Sequence, residues 1–184
     1  MIARLFRRQD ARAKAIAALH TRTNAASRMP GLYTHLGVPD TVEGRFECLT
    51  LHVVLVLRRL NRLPAPAADV AQDLVNSVFL QLDASLRELG VGDVGVPKRM
   101  KKLGAAFYGR AEGYDAALDS GDRAALAQVL ARTVIGNDAA DAAGLARYTL
   151  AAAESLARDD LDALMDAGPR FPAPAPFAQP GPQP

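Results

Sequence analysis

Tryptophan is absent from this 184-residue chain, aromatic residues make up only 5% of it, and it holds one cysteine and three histidines. Each scarcity removes a class of function. A lone Cys48 excludes an internal disulfide framework and any zinc site built on several cysteines, so a reducing compartment, the cytoplasm by default, is the expected home. His20, His35 and His52 form no H-x-x-x-H pair, and no metal site is expected of them. They read instead as one surface histidine and one or two that pack between helices. Glu47 stands five residues before His52, off the spacing that would pair them on a helix, so no acid/base couple is expected there. Cys48 reads as a small, half-buried side chain, because no cation is placed to lower its pKa. Nucleophile-elbow, kinase and P-loop signatures are all missing.

Long apolar runs are missing too. The longest, "LTLHVVLVL" from Leu49 to Leu57, is far short of the roughly 20 residues that a bilayer span needs, and Arg58 and Arg59 close it. The opening "MIARLFRRQDARAKAIAALH" has early cations but no apolar core behind them, so it does not read as a secretory signal. One motif has to be set aside by its context: "GVGDVG", Gly90 to Gly95, matches G-x-G-x-x-G, but a long amphipathic helix precedes it and no βαβ unit surrounds it. It reads as a loop between helices.

What the chain does have is apolar residues at helical spacing. Val42, Phe46, Leu49, Val53, Val56, Leu57 and Leu60 recur at steps of three and four, predicting a central helix over 41–61 with Asp40 as its cap and Glu43 reaching back. A second helix is expected over 68–89, carrying Ala71, Val75, Val78, Leu82, Leu86 and Leu89 on one side and ending at Gly90. A third is expected over 97–118, with Met100, Leu103, Phe107, Tyr114 and Leu118 on its stripe and Val96 at its N-cap. Further helices are expected over 122–135 and 139–165, the latter with a break near Asp159 and Asp160, and an Ala-rich one over 10–27. No segment alternates with period two. The expected fold is therefore all-α: a single compact domain of about six to seven packed amphipathic helices. A basic N-terminal segment would occupy 1–28, the helical domain 29–166, and a disordered Pro-rich tail 167–184.

Charge is unevenly spread. The chain carries a formal net charge of only +2, yet residues 1–28 hold seven Arg or Lys against Asp10 alone, and residues 119–184 hold five basic against nine acidic residues. The densest cluster is "PKRMKK", where Lys98, Arg99, Lys101 and Lys102 fall in the first turns of the third helix. A helix N-terminus carries about half a positive charge, so each such cation is disfavoured by about 0.3–1 kcal/mol when exposed. A cluster that its own helix opposes is suited to an anionic partner: RNA phosphate, a lipid headgroup or an acidic protein segment. The polar face of the second helix reads as solvent-exposed.

Three stretches, "DTVEGRFECLTLHVVLVLRRL", "LDASLRELGVGDVGVPKRMKKLGAAFYGRAEGYDAAL" and "LARYTL", resemble the ubiquinol–cytochrome c chaperone family, assembly factors of the cytochrome bc1 complex, over about residues 32–148. The run of L-R-E, G-V-G-D, K-R-M-K-K and A-F-Y-G-R in order is the most specific part. The resemblance implies an all-helical fold, no catalysis and no cofactor. Its implied partner is newly made cytochrome b or a bc1 assembly intermediate, with a ribosome, an anionic lipid surface and a small helper protein as further candidates. By position, Arg45, Phe46, Glu47, His52, Asp83, Arg87, Glu88, Gly92, Asp93, Lys98, Lys101, Lys102, Tyr108, Gly109 and Arg110 match the family. Of these Arg45, Glu47, His52, Asp83, Arg87, Glu88, Asp93, Lys98, Lys101, Lys102, Tyr108 and Arg110, together with Arg99, are the expected partner-binding set. Asn76 and Gln81 stand where the family resemblance implies carboxylates. Two other readings compete. One is a ribosome- or RNA-binding adaptor without a dedicated client; the other is peripheral attachment to the inner face of the cytoplasmic membrane, with Ile2, Leu5 and Phe6 alternating with Arg4, Arg7 and Arg8.

Overall fold

The computed structural model describes residues 2–178, and side chains from residue 10 onward. Its order is α1 (Ile2–Ser27), α2 (Pro30–Thr34), α3 (Val42–Leu60), α4 (Ala67–Glu88), α5 (Gly95–Ser120), α6 (Arg123–Leu130) running into a π-helical turn (Ala131–Ile135), α7 (Ala143–Ala157) and α8 (Leu161–Asp166). A 3-10 turn, Ala175–Phe177, follows. No strand occurs among the described residues. The fold is all-helical, as expected.

Helix α3 is the axis of the domain. Helices α1, α4, α5 and α7 all pack on it, and from Thr50 to Leu57 every residue is buried. Its entry differs from expectation: Thr41 is the cap, its Oγ1 accepting the Gly44 N–H at 3.1 Å, while Asp40 accepts from Arg45 Nε at 2.7 Å. The close crossing at Gly44 accounts for the tight entry, since a Cβ there would sit 2.1 Å from the Pro39 carbonyl oxygen. Likewise α5 begins at Gly95, with Val94 rather than Val96 at the cap position and no side-chain cap at all. The 139–165 segment is broken where expected. Asp160 ends the interruption by accepting the Ala163 N–H at 2.8 Å and starting α8.

The N-terminal helix is part of the core. Ile16, Leu19, His20, Thr23 and Ser27 are buried at helical spacing against α3, α4 and α8, and Arg12 pairs with Asp73 of α4 at 2.6 Å. Residues 2–9, with their alternating cations and apolar side chains, lie outside the described side chains. Of the Pro-rich tail, residues 167–178 are described, and they narrow what was expected of it. Prolines leave this stretch few backbone hydrogen bonds, yet side chains seat it. Phe171 lies 4.7 Å from the His52 ring, Phe177 stands edge-on to Tyr148 at 5.8 Å, Pro174 is buried, and Arg170 pairs with the buried Asp159. Residues 179–184 lie outside the description.

Beneath that strap is a buried polar knot. His52 sits one turn after Cys48; its Nδ1 lies 2.8 Å from the Cys48 carbonyl oxygen and its Nε2 2.8 Å from the Tyr148 hydroxyl. A carbonyl only accepts, so Nδ1 carries the proton and Nε2 accepts from the tyrosine. The Ser27 carbonyl accepts from both the Cys48 thiol and the Tyr33 hydroxyl. Cys48 is fully buried rather than half-buried, and burial pushes its thiol up to about 12, so no thiolate nucleophile forms. His35 is the exposed histidine; His20 and His52 are the packed ones.

Burial lowers the His52 imidazole from 6.5 to about 4, and it lowers His20 as well. The folded state therefore resists a proton that the unfolded chain accepts. Stability is complete above about pH 6.5 and falls as pH drops toward 4, by about 3 kcal/mol from His52 alone. Urea unfolding at neutral pH and at about pH 4.5 should show this loss. Tyr148→Phe, which leaves Nε2 buried without a donor, should cost about 1–3 kcal/mol at neutral pH. A midpoint unmoved by acid would contradict the buried neutral imidazole.

Candidate functional site

The apolar stripes of α3, α4 and α5 run further than the core does. At the start of α3, Val42 is 70% exposed; at the end of α4, Leu89 is 69% exposed, with Leu82 and Leu86 only half-buried. These side chains line an open groove of about 510 Å³ with Phe46 of α3 and Leu103 and Ala106 of α5. Its floor is aliphatic and aromatic. Glu43 and Glu47 stand on the α3 wall, Arg99 and Lys102 on the α5 wall. The groove exists because Phe79 of α4 packs beside Gly104 and Phe107 of α5, which brings the two helices together there.

Glu47 is held by Arg110 through two bonds, Nε to Oε2 at 3.0 Å and Nη2 to Oε1 at 2.9 Å. Two parallel N–H bonds from a guanidinium fix a carboxylate's orientation as well as its charge, so this pair braces α3 against α5 along the groove wall. At the far end, Arg87 bonds Asp83 at 2.7 Å and Asp93 at 2.5 Å, tying the last turn of α4 to the loop that follows. Lys98, Arg99, Lys101 and Lys102 form no ion pair with the described residues, and the first turn of α5 contains no carboxylate.

The expected partner-binding residues therefore fall into separate groups. Arg99 and Lys102 meet Glu47 across the groove, with Arg110 behind Glu47 and Lys98 and Lys101 beside them on α5. Asp83, Arg87 and Asp93 are bound to one another, and Glu88 is exposed next to them. Arg45 is occupied by Asp40. His52 is buried in the polar knot and holds α3 to α7, so it presents no edge to a partner in this structure. Tyr108, 60% exposed and edge-on to Phe107, lines a different depression with Val54, Leu57 and Val75. Phe46 matched the family by position but was not among the residues expected to bind a partner, so the groove floor as a whole was not in the expected set. Its signal was present in the stripes: they supplied more apolar positions than a core of this size covers.

Among the described residues no three His, Cys, Asp or Glu side chains gather to hold a metal ion, and no helix is long and apolar enough to cross a membrane. The arrangement is a helical domain with a buried axis and an apolar groove whose walls carry charge of both signs. The chain belongs to the ubiquinol–cytochrome C chaperone family, whose model matches residues 34–171. It is similar to the crystal structure of the Cbp3 homolog from Brucella abortus, at 38% identity over 95% of this chain and 98% of that one, with a TM-score of 0.84. No curated protein matches it.

Two cationic groups on α5 should behave oppositely in thermal or urea unfolding. Arg110→Ala strands a half-buried Glu47 carboxylate and should cost about 1–3 kcal/mol. Lys98→Gln removes a cation at the edge of the first turn of α5, which the helix N-terminus opposes, and should be neutral or stabilise by up to about 0.3–1 kcal/mol, while Lys101→Gln, a turn further in, should be neutral. Equal losses from both groups would mean that the cations at the helix start are structural.

Proposed function

We infer that this chain is a non-enzymatic assembly chaperone of the cytochrome bc1 complex, and that it holds a hydrophobic segment of newly made cytochrome b, or of a partner bound to it, in the groove between α3, α4 and α5. Family membership supports the pathway. The single observation that supports the holding site is the groove: Phe46, Leu82, Leu86, Leu89 and Leu103 offer a stripe of apolar side chains that the domain's own helices leave half-covered. An apolar helix face laid into such a groove is the physical model.

Magnitudes fit a temporary hold. Fully burying one Leu or Phe is worth about 1.5–3 kcal/mol, but these are already partly covered, and association costs several kcal/mol in lost freedom. What remains is a modest affinity, suited to a client that must leave. The reading needs no cofactor, and the buried Cys48 and His52 are engaged in structure.

Deleting the gene should remove the b- and c1-type haem signals from reduced-minus-oxidised spectra of the membranes while cytochrome b mRNA persists. Leu86→Asp, which puts a charge on the groove floor without touching the buried core, should lower those signals several-fold at unchanged chaperone level. Normal bc1 levels in the deletion strain would rule the function out; normal levels with Leu86→Asp alone would rule out the groove.

A further inference from the structure

The tip where α4 turns into α5 is built differently from the rest of the surface. Val94 is 94% exposed and Leu89 is 69% exposed, two of the five large hydrophobic residues that stand out from the described surface. Between them Gly90, Gly92 and Asp93 are exposed, while Val91 is half-buried with its Cγ1 toward Gly95. Directly behind stand Lys98, Arg99, Lys101 and Lys102, exposed and without ion-pair partners among the described residues. Asp93, the carboxylate in the loop, is already taken by Arg87.

We propose that this tip docks on an anionic lipid surface, with Val94 and Leu89 entering the boundary between headgroups and acyl chains and the four cations facing lipid phosphates. An aliphatic point with four cations on the helix behind it, against the exposed carboxylate of Glu88, matches that boundary, where apolar groups go down and positive charge stays level with the headgroups. A protein partner would need a pocket for Val94. RNA would gain nothing from either aliphatic side chain. The groove opens beside the tip, since Leu89, Arg99 and Lys102 line it; if it holds the client as inferred above, docking would bring that client to the bilayer. The docking itself does not rest on that reading.

Flotation of the purified full chain with phosphatidylcholine vesicles, with and without phosphatidylglycerol, tests it. Binding is expected only to the anionic vesicles and should weaken with salt. Each surface cation contributes severalfold and a buried valine about tenfold, so Lys98→Gln with Lys101→Gln should reduce binding roughly tenfold or more, and Val94→Ser should reduce it about tenfold without any change of charge. None of these three residues lines the groove, so the variants should leave cytochrome b capture in detergent intact. Binding indifferent to phosphatidylglycerol overturns the proposal. So does binding that survives both variants and is lost on removing residues 1–9, and so does retention of RNA in place of vesicles. Client capture that survives Leu86→Asp leaves this docking standing and counts against the groove.

Discussion

Because α3 is dry around its whole circumference from Thr50 to Leu57, every other long helix must find its place by packing against it. That constraint explains why the polar side chains within this span are so carefully satisfied. His52, on the central turn, has no water to turn to, so its two nitrogens are met by the Cys48 carbonyl and the Tyr148 hydroxyl, and the ring is held neutral. Phe171 then closes the knot from the tail. A helix surrounded on every side in its middle is also free at its start. There, Val42, Glu43, Phe46 and Glu47 become walls of a groove.

How much of this was legible in the sequence depends on which force decided each feature. Helices were legible because their apolar spacing is local: 41–61 and 68–89 were found to within a residue or so, and the break before Asp160 came from capping chemistry. The caps of α3 and α5 were misplaced because the local backbone path decided them: the chain turns tightly between Pro39 and Gly44, and α5 starts two residues before Pro97. The seating of the tail was hidden for a different reason. Its prolines announce an absence of backbone bonding, but the receptors for Phe171 and Phe177 lie on α3 and α7, far away in sequence.

The site was legible in its charges more than in its floor. A cationic cluster at a helix start opposes the dipole wherever it lies, so Lys98 to Lys102 could be singled out without a fold. Which carboxylates answer which arginines could not. The Glu47–Arg110 and Arg87–Asp93 pairs depend on helix packing and loop path, and they remove several residues from the list of free contacts while leaving the four cations open. The groove floor needed the helix crossing at Phe79 and Gly104, which no spacing rule supplies. Taken together, one end of the molecule collects an apolar channel, four cations without ion-pair partners among the described residues and two protruding aliphatics. The opposite surfaces show ion pairs such as Arg58 with Asp115 and Asp119, closed on themselves.

The central claim is that the groove between α3, α4 and α5 is where a membrane-protein segment is held. The most direct measurement is site-specific photocrosslinking in cells that are synthesising the bc1 complex, with a photoreactive residue placed at Leu86 on the groove floor or at Ala153, in a depression on another face. The account predicts an adduct with cytochrome b from position 86 and none from position 153. An adduct from 153 alone, or equal adducts from both, would contradict it.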